Sequence, residues 1–450
     1  MAAERRAAIE DVVRRAVAVS KAPETEVLVS GGTEALTRFA GNAIHQNLSR
    51  EVIEISIRAS DGGRTGRSTT TRTDDASLSE TAARALATAR RLDPNPRLIP
   101  VPAPFADYPA LRCWDAETAS ADPERRARGV SEVVEIAESA GLSVAGSFTT
   151  DDRYEAIGNS KGLFTYGEYT SSVFSNTMTG PTSTGFAEDG ASAIARIDPA
   201  GLGRRAAEKA ARAVDPGEVP PGEYTTILEP VAVGELLGFL VYGPSFCHLA
   251  GQGIEDGESW FATRMGTKVF GDNVTLRDDV AHPTQTGVAF DAEGVPRRSL
   301  TLIDKGVARA VTYDRAAAQR AGAAPTGHGL PVPNTLGSAP QNLVLEGGTT
   351  SIDEMIRSTK RGILVTRLWY VRTVDPADLI VTGLTRDGTF LIEDGTIVKG
   401  LRSYRVNQSL RAMLNQITAL SPAVRAAPGI TAPALRVDGF GFSAVVPKER

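Results

Sequence analysis

Apolar and polar positions along this chain follow two rhythms, and each switch between them marks an element. Ile9, Val12, Val13, Ala16 and Val17 recur at the spacing of one face of an α-helix. In "EVIEISIRASDGG", Ile53, Ile55 and Ile57 alternate with Glu54, Ser56 and Arg58. That period of two predicts a strand with one buried face, and "SDGG" predicts the turn after it. Ser77 with Glu80 predicts a capping box opening the Ala-rich helix "SLSETAARALATARRL". Residues 93–121 are proline-rich and read as an extended surface connection. Asp122 and Pro123 predict the N-cap and first residue of a helix running to about Ala140, with Gly141 as its stop. A strand-rich run follows over about 143–198, with a turn from Asn159 to Gly162, and "GLGRRAAEKAARAV" closes this half as a helix.

The stretch "DPGEVPPGE", residues 215–223, is the best linker in the sequence. Beyond it "YTTILEP" predicts a strand. Val233, Leu236, Leu237, Leu240 and Val241 predict a helix that Pro244 ends or kinks near Gly243. Asp304-Lys305-Gly306, Asp387-Gly388 and Asp394-Gly395 predict hairpins. "SIDEMIRSTKRG" predicts a short helix capped by Ser351 and Glu354 and stopped by Gly362. Leu410, Met413, Leu414 and Ile417 predict one more helix face, and there is no short-period repeat. The predicted fold class is α+β in two domains. Residues 1–215 form an N-terminal α/β domain with antiparallel strands and long helices. Residues 222–450 form a β-rich domain with covering helices.

Composition narrows the function classes. At 41% hydrophobic and 23% charged, the chain suits a soluble globular protein. A net charge of -5 gives no basic footprint for nucleic acid. Cys113 and Cys247 alone make no disulfide framework, which favours a reducing cytoplasm. The charged N-terminus has no apolar core of a signal peptide, and no run reaches the ~18 apolar residues of a spanning helix.

Candidate chemistry centres on "FCHLAGQGIEDG", where Cys247 and His248 stand side by side. Zinc needs three or four converging ligands. His45, His248, His282 and His328 are far apart, and no pair has the one-turn spacing of H-E-x-x-H. The simplest expectation is that Cys247 packs in the core and His248 hydrogen-bonds nearby. "GQGIEDG" lacks the spacing of a phosphate loop, and no G-x-S-x-G elbow is present. Asp151-Asp152 and Asp278-Asp279 read as solvated carboxylates that nothing orients for acid-base work.

Several blocks, in collinear order, carry a resemblance. They include "SIRASDGGRTGRSTTTRTDDASLSETAARALATAR", "IGNSKGLFTYGEYTSS", "ELLGFL", "ESWFATRMGTKVFGDNVTLRDD", "FDAEGVPRRSLTLIDKGVARAVTYDRAAAQRAG", "NLVLEGGTTSIDEMIRSTKRGILV" and "GTFLIEDGTIVKGL". Over nearly the whole chain the sequence resembles the TldD/PmbA (TldE) metallopeptidases. The resemblance implies a two-domain subunit of a heterodimeric or homodimeric peptidase acting on short or unfolded peptides. It also implies that a TldD-type subunit carries zinc on an H-E-x-x-x-H helix with a later cysteine, and that the PmbA/TldE-type subunit lacks that motif. Anchored on "LL", the motif positions fall on Gly238, Phe239 and Gly243. Anchored on the later glycines, they fall on Cys247, His248 and Gln252. Neither register supplies a zinc site, and no cysteine follows Cys247. The expectation is a TldE-like subunit with no metal of its own, zinc lying in a TldD-like partner, and no nucleic acid or membrane as partner. The alternatives are a hydrolase using Cys247 as nucleophile with His248 or a distant histidine as base, and a peptide-binding protein without peptidase activity.

Overall fold

A computed structural model describes residues 2–243 and 246–446. The first half contains α1 (Ala2–Val19), β1 (Glu24–Ala40), β2 (Ala43–Asp61), β3 (Arg64–Thr70), α2 (Asp75–Arg91), α3 (Ala116–Ala119), α4 (Pro123–Ser139), β4 (Ser143–Asn159), β5 (Phe164–Thr179), β6 (Thr184–Ala191) and α5 (Pro199–Arg212). Its strands form one antiparallel sheet in the order β3-β2-β1-β4-β5-β6. The order has a two-fold logic. The unit α1-β1-β2-β3-α2 is repeated as α4-β4-β5-β6-α5, and the central strands β1 and β4 pair antiparallel. Equivalent glycines mark the repeat. A Cβ on Gly66 of β3 would lie 2.4 Å from Ala85 O and 2.6 Å from Ala89 N of α2. A Cβ on Gly185 of β6 would lie 2.1 Å from Ala206 O and 2.5 Å from Ala210 N of α5. Each helix therefore lies against the backbone of its own outer strand, closer than any side chain permits.

Alternation decides which face the helices cover. Val27, Val29, Ile55 and Ile57 pack with Ile9, Val12, Val13 and Ala16 of α1 and Leu78 and Ala82 of α2. Phe39, Phe148, Phe174 and Met178 pack with Val130 and Val133 of α4 and Leu202 and Ala206 of α5. Asp122 caps α4 by accepting the Arg125 N–H at 2.6 Å, as its position before Pro123 predicts.

The second half contains β7 (Gly222–Leu228), α6 (Pro230–Val241), α7 (Gly251–Glu255), β8 (Leu276–Asp278), β9 (Leu300–Asp304), β10 (Val307–Ala308), α8 (Arg315–Ala321), β11 (Leu343–Leu345), α9 (Ile352–Arg357), β12 (Arg361–Asp375), β13 (Ile380–Glu393), β14 (Thr396–Gly400), β15 (Tyr404–Ser409), α10 (Leu410–Asn415), β16 (Ile417–Leu420), β17 (Val424–Ala427), β18 (Ile430–Ala432) and β19 (Leu435–Val445). Strands β12, β7, β19, β15 and β13 pair in sequence, and β13 pairs back to β12, closing a ring. A second sheet runs β10-β9-β8-β11-β18-β17. Helix α6 packs on β12, β17 and β18, and its Val233, Leu236, Leu237, Leu240 and Val241 enter the largest core. The fold is thus α+β with largely antiparallel sheets. Among the described residues no helix is long and apolar enough to cross a membrane.

Four local expectations need correction. Helix α2 starts earlier than a Ser77 cap implies, because the Asp74 carboxylate accepts the Ser77 N–H at 2.9 Å and is the true N-cap. Asp387-Gly388 is not a hairpin. Val365 pairs with Thr389 and Arg367 with Arg386, so both residues bulge opposite Thr366 inside β13, and Gly388 takes a φ of +132° that favours glycine. Gly362 does not stop α9 but sits within β12, paired with Thr225. Ile417 opens β16 rather than extending α10. Helix α6 ends at Val241 with Tyr242 as its cap, and Pro244 lies outside the described residues.

Candidate functional site

The residues singled out by sequence lie on α6 and just after it. Gly238 is on α6, and a Cβ added there would meet nothing within 4 Å. Phe239 is half-buried against the large core, and the Gly243 N–H donates to Phe246 O at 2.9 Å. Two glycines and a phenylalanine offer zinc no side-chain donor. Cys247 is 1% exposed inside the same core, and burial pushes its thiol up to about 12. A reactive cysteine needs the opposite shift. His248 is equally buried. Its Nδ1 accepts the Trp260 N–H at 3.2 Å, its ring meets Phe246 edge-on, and burial pushes it down to about 4, so the imidazole is neutral. Gln252 on α7 donates to Thr335 O at 3.1 Å. His45 lies on the exposed part of β2, and His282 bonds Thr284 Oγ1 at 2.8 Å. Among the described residues no group of three or more His, Cys, Asp and Glu is placed to hold a metal ion.

The chemistry gathers elsewhere. The polar face of the first sheet, which alternation alone assigns to solvent, forms one wall of a cleft of about 670 Å³ whose other wall comes from the second half of the chain. Ser30 pairs with Glu54 on one side and Glu155 on the other, so the three residues form a row across β2, β1 and β4. Phe290 and Val288 supply an apolar flank. Deeper in the sheet Glu26, 1% exposed, pairs with Arg67 at 2.7 Å and Arg58 at 3.2 Å. Arg67 also donates through Nε to Val332 O at 2.7 Å, which ties the sheet to the opposite wall.

That opposite wall holds a buried polar network. Asp278 and Asp152 are not the solvated carboxylates their sequence neighbourhoods suggest. Asp152 is 6% exposed and pairs with Arg5 at 2.5 Å. Asp278 is 1% exposed, and its Oδ1 meets His328 Nε2 at 2.9 Å and Arg297 Nη2 at 3.1 Å. Its Oδ2 accepts the N–H groups of Gln341 at 2.6 Å and Asn342 at 2.7 Å. Asp291 lines the cleft and accepts N–H groups from Glu293, Val295 and Gly329. Burial pushes both Asp291 and its neighbour Glu293 above the ordinary carboxylate range, and the charge of Asp291 pushes Glu293 further. Glu155 is also raised by burial, against the hydrogen bond it accepts from Tyr169 Oη at 3.3 Å. The cleft combines acceptor-rich walls, a fixed guanidinium and an apolar flank. Sequence reasoning missed these residues because they come from distant segments. The one local signal was "FDAEG", whose Asp291 folds back onto its own turn.

Residues 25–89, 109–214 and 221–444 match the family profiles described as PmbA/TldA metallopeptidase domain 1, central domain and C-terminal domain. The chain belongs to the PmbA/TldD family. Its fold is that of the crystal structure of TldE from Thermococcus kodakarensis, with a TM-score of 0.85, 21% identity, and coverage of 97% of this chain and 100% of that one. Curated relatives include a metalloprotease of Methanothermobacter thermautotrophicus, 28% identical over 38% of this chain and 37% of its own length. A second, from Methanocaldococcus jannaschii, is 28% identical over 36% of each. The match thus spans little more than a third of either relative. Helix α6 carries Gly238 and Phe239, two of the three positions of the first register.

Proposed function

We propose that this PmbA/TldD-family chain is a TldE-like subunit of a zinc metallopeptidase acting on short or unfolded peptides. In this reading it is not the catalytic subunit. It comprises two units, 1–215 and 222–450, and contributes one wall of the peptide cavity to a zinc-bearing TldD-type partner in the cytoplasm. The observation that carries the reading is the donor set on α6 and just after it. A metallopeptidase needs a metal to polarise the scissile carbonyl and a base to take the water's proton, and Gly238, Phe239 and Gly243 supply neither. A cleft walled by a polar sheet face and a buried arginine network supports the peptide-holding role. The buried, raised thiol of Cys247 favours a packing role over a nucleophilic one.

Co-expression with a paralogue containing H-E-x-x-x-H tests the reading. The expected result is co-purification through size exclusion, no stoichiometric zinc in this chain alone, and cleavage of unfolded peptides only by the pair. One tightly bound zinc per isolated chain, or chelator-resistant cleavage by the chain alone, would overturn it. Failure to associate with any such paralogue would leave the peptide-binding alternative in its place.

A further inference from the structure

We infer that the cleft between the two halves is a subsite for the free amino terminus of a peptide, its ammonium held by Glu155 and Glu54 and its first carbonyl by Arg297 Nε–H. The inference rests on the peptide-holding role proposed above and adds which end of the peptide this chain reads.

The starting observation is Arg297. It lines the cleft and is 4% exposed. Two of its nitrogens are committed: Nη1 to Gln341 Oε1 at 3.2 Å and Nη2 to Asp278 Oδ1 at 3.1 Å. Its Nε is buried and finds no acceptor among the described residues. A buried guanidinium N–H without an acceptor is costly, and native proteins keep few of them. A ligand acceptor that reached this N–H would remove that cost.

The charge around it selects the ligand. The two lining arginines are already paired, Arg67 with Glu26, which it shares with Arg58, and Arg297 with Asp278. Among the described residues three lining carboxylates, Glu54, Glu155 and Asp291, form no ion pair, although Arg297 and Arg153 act on Glu155 from further away. Asp291 is satisfied by backbone N–H groups, and among the described residues Glu155 receives only the Tyr169 hydroxyl. Glu54 and Glu155 flank Ser30 on neighbouring strands, which puts them roughly 10 Å apart at the backbone, with their side chains on the same face. Arg297 acts electrostatically on Glu155 across the cleft, yet no hydrogen bond or ion pair joins the two. A ligand placed between them must present a cation to the glutamates and an acceptor to the arginine. A carboxylate would meet Arg297 but face the glutamates. A lysine or arginine side chain would carry the cation without an adjacent acceptor. An amino-terminal residue carries an ammonium and a carbonyl two bonds apart along the chain, and the flank of Phe290 and Val288 suits a first side chain.

The test uses the purified full chain, and its complex with the zinc-bearing paralogue where one forms. The probe is a randomised heptapeptide pool with Ala fixed at the first position and a fluorophore on a C-terminal lysine, in free-amine and N-acetyl forms. Fluorescence anisotropy should show the free-amine pool binding roughly ten- to a hundredfold more tightly, the scale of a charge-assisted contact. Glu155→Gln should reduce that preference to a few-fold at most. Glu54→Gln should reduce it partly, and being exposed it guards against misfolding of the first variant. Equal affinity of the two pools, or a preference that survives both substitutions, would overturn the subsite and leave the peptide-holding role standing. No binding of either pool, alone or in the complex, would overturn the peptide-holding role and the subsite with it.

Discussion

Replacing Asp278 by Asn keeps the shape of the side chain and removes its charge. The carboxylate is 1% exposed and receives His328, Arg297 and two backbone N–H groups. Burial by itself would raise its pKa. The His328 hydrogen bond and charge, the Arg297 charge and the Asn342 N–H outweigh that effect and hold it well below the ordinary range. In D278N one oxygen position becomes an amide NH2, which faces donors, and Arg297 keeps its charge in the interior without a counter-ion. Removing one partner of a buried pair costs about 3–5 kcal/mol. For a unit of this size each kcal/mol moves Tm by about 2–4 °C, so the fall should be on the order of 6–20 °C. Thermal unfolding followed by near-UV circular dichroism measures it. The sign of the pH dependence is fixed. A carboxyl whose folded pKa is depressed stabilises fully above its unfolded pKa of about 3.9 and loses that contribution as pH falls towards the folded value. The gap between wild type and D278N should therefore be full at neutral pH and shrink below about pH 4. Adding Arg297→Met to D278N should recover part of the loss, because the unpaired charge goes too. A shift under about 2 °C at neutral pH, or one that does not change with pH, would refute the reasoning.

The two strand glycines and the helix glycine should behave oppositely. G66A and G185A should each cost about 1–3 kcal/mol in denaturant unfolding, since their Cβ atoms would strike helix backbone. G238A should be neutral or gain up to about 1 kcal/mol, since its Cβ meets nothing and alanine is the better helix former. Native Cys247 should resist iodoacetamide at about pH 7.5 and react once denaturant exposes it, as mass spectrometry would show, because its thiol is buried and its pKa raised. If the proposed pairing holds, Cys247→Ala should leave peptide processing by the pair largely intact, with a modest loss of stability. Glu293→Gln should stabilise the protein more at pH 8 than at pH 5. The penalty of a carboxyl whose folded pKa is raised is absent below its unfolded pKa and grows as pH climbs through and past it. Thermal melts at the two pH values check the sign.

Local chemistry was legible wherever a residue and its consequence sat within one turn. Asp122 before Pro123, the Ser351–Glu354 box and the Asp394-Gly395 turn needed no distant partner. Ser77 with Glu80 misled because Asp74, a few residues earlier, is the stronger acceptor. Asp387-Gly388 has the composition of a hairpin turn, and only its pairing with β12 reveals a bulge. The alternation of Glu54, Ser56 and Arg58 gave the right strand and the wrong surroundings, because periodicity reports that a face is polar and not what stands opposite. The cleft was illegible for the same reason. Arg297, Glu155 and Arg67 have no fixed spacing, and they meet because β1 pairs with β4 and the second half of the chain folds back on the sheet.

The two-fold repeat of the first sheet has a consequence at the seam with the rest of the chain. Next to Gly66 stands Arg67, which closes the row Glu26, Arg58, Arg67. Next to Gly185 stands Phe186, which closes the equivalent row Ala145, Thr177, Phe186. Arg67 grips the second half through Val332 O, whereas Phe186 lies beneath Arg367 of the second half, with 4.0 Å from the guanidinium carbon to the ring centre. One backbone plan is thus used twice at the same junction, with the arginine contributed from opposite sides. The symmetry belongs to the scaffold and the asymmetry to three side chains. Both copies fasten the two halves, and the one with Arg67 also lends that arginine to the cleft.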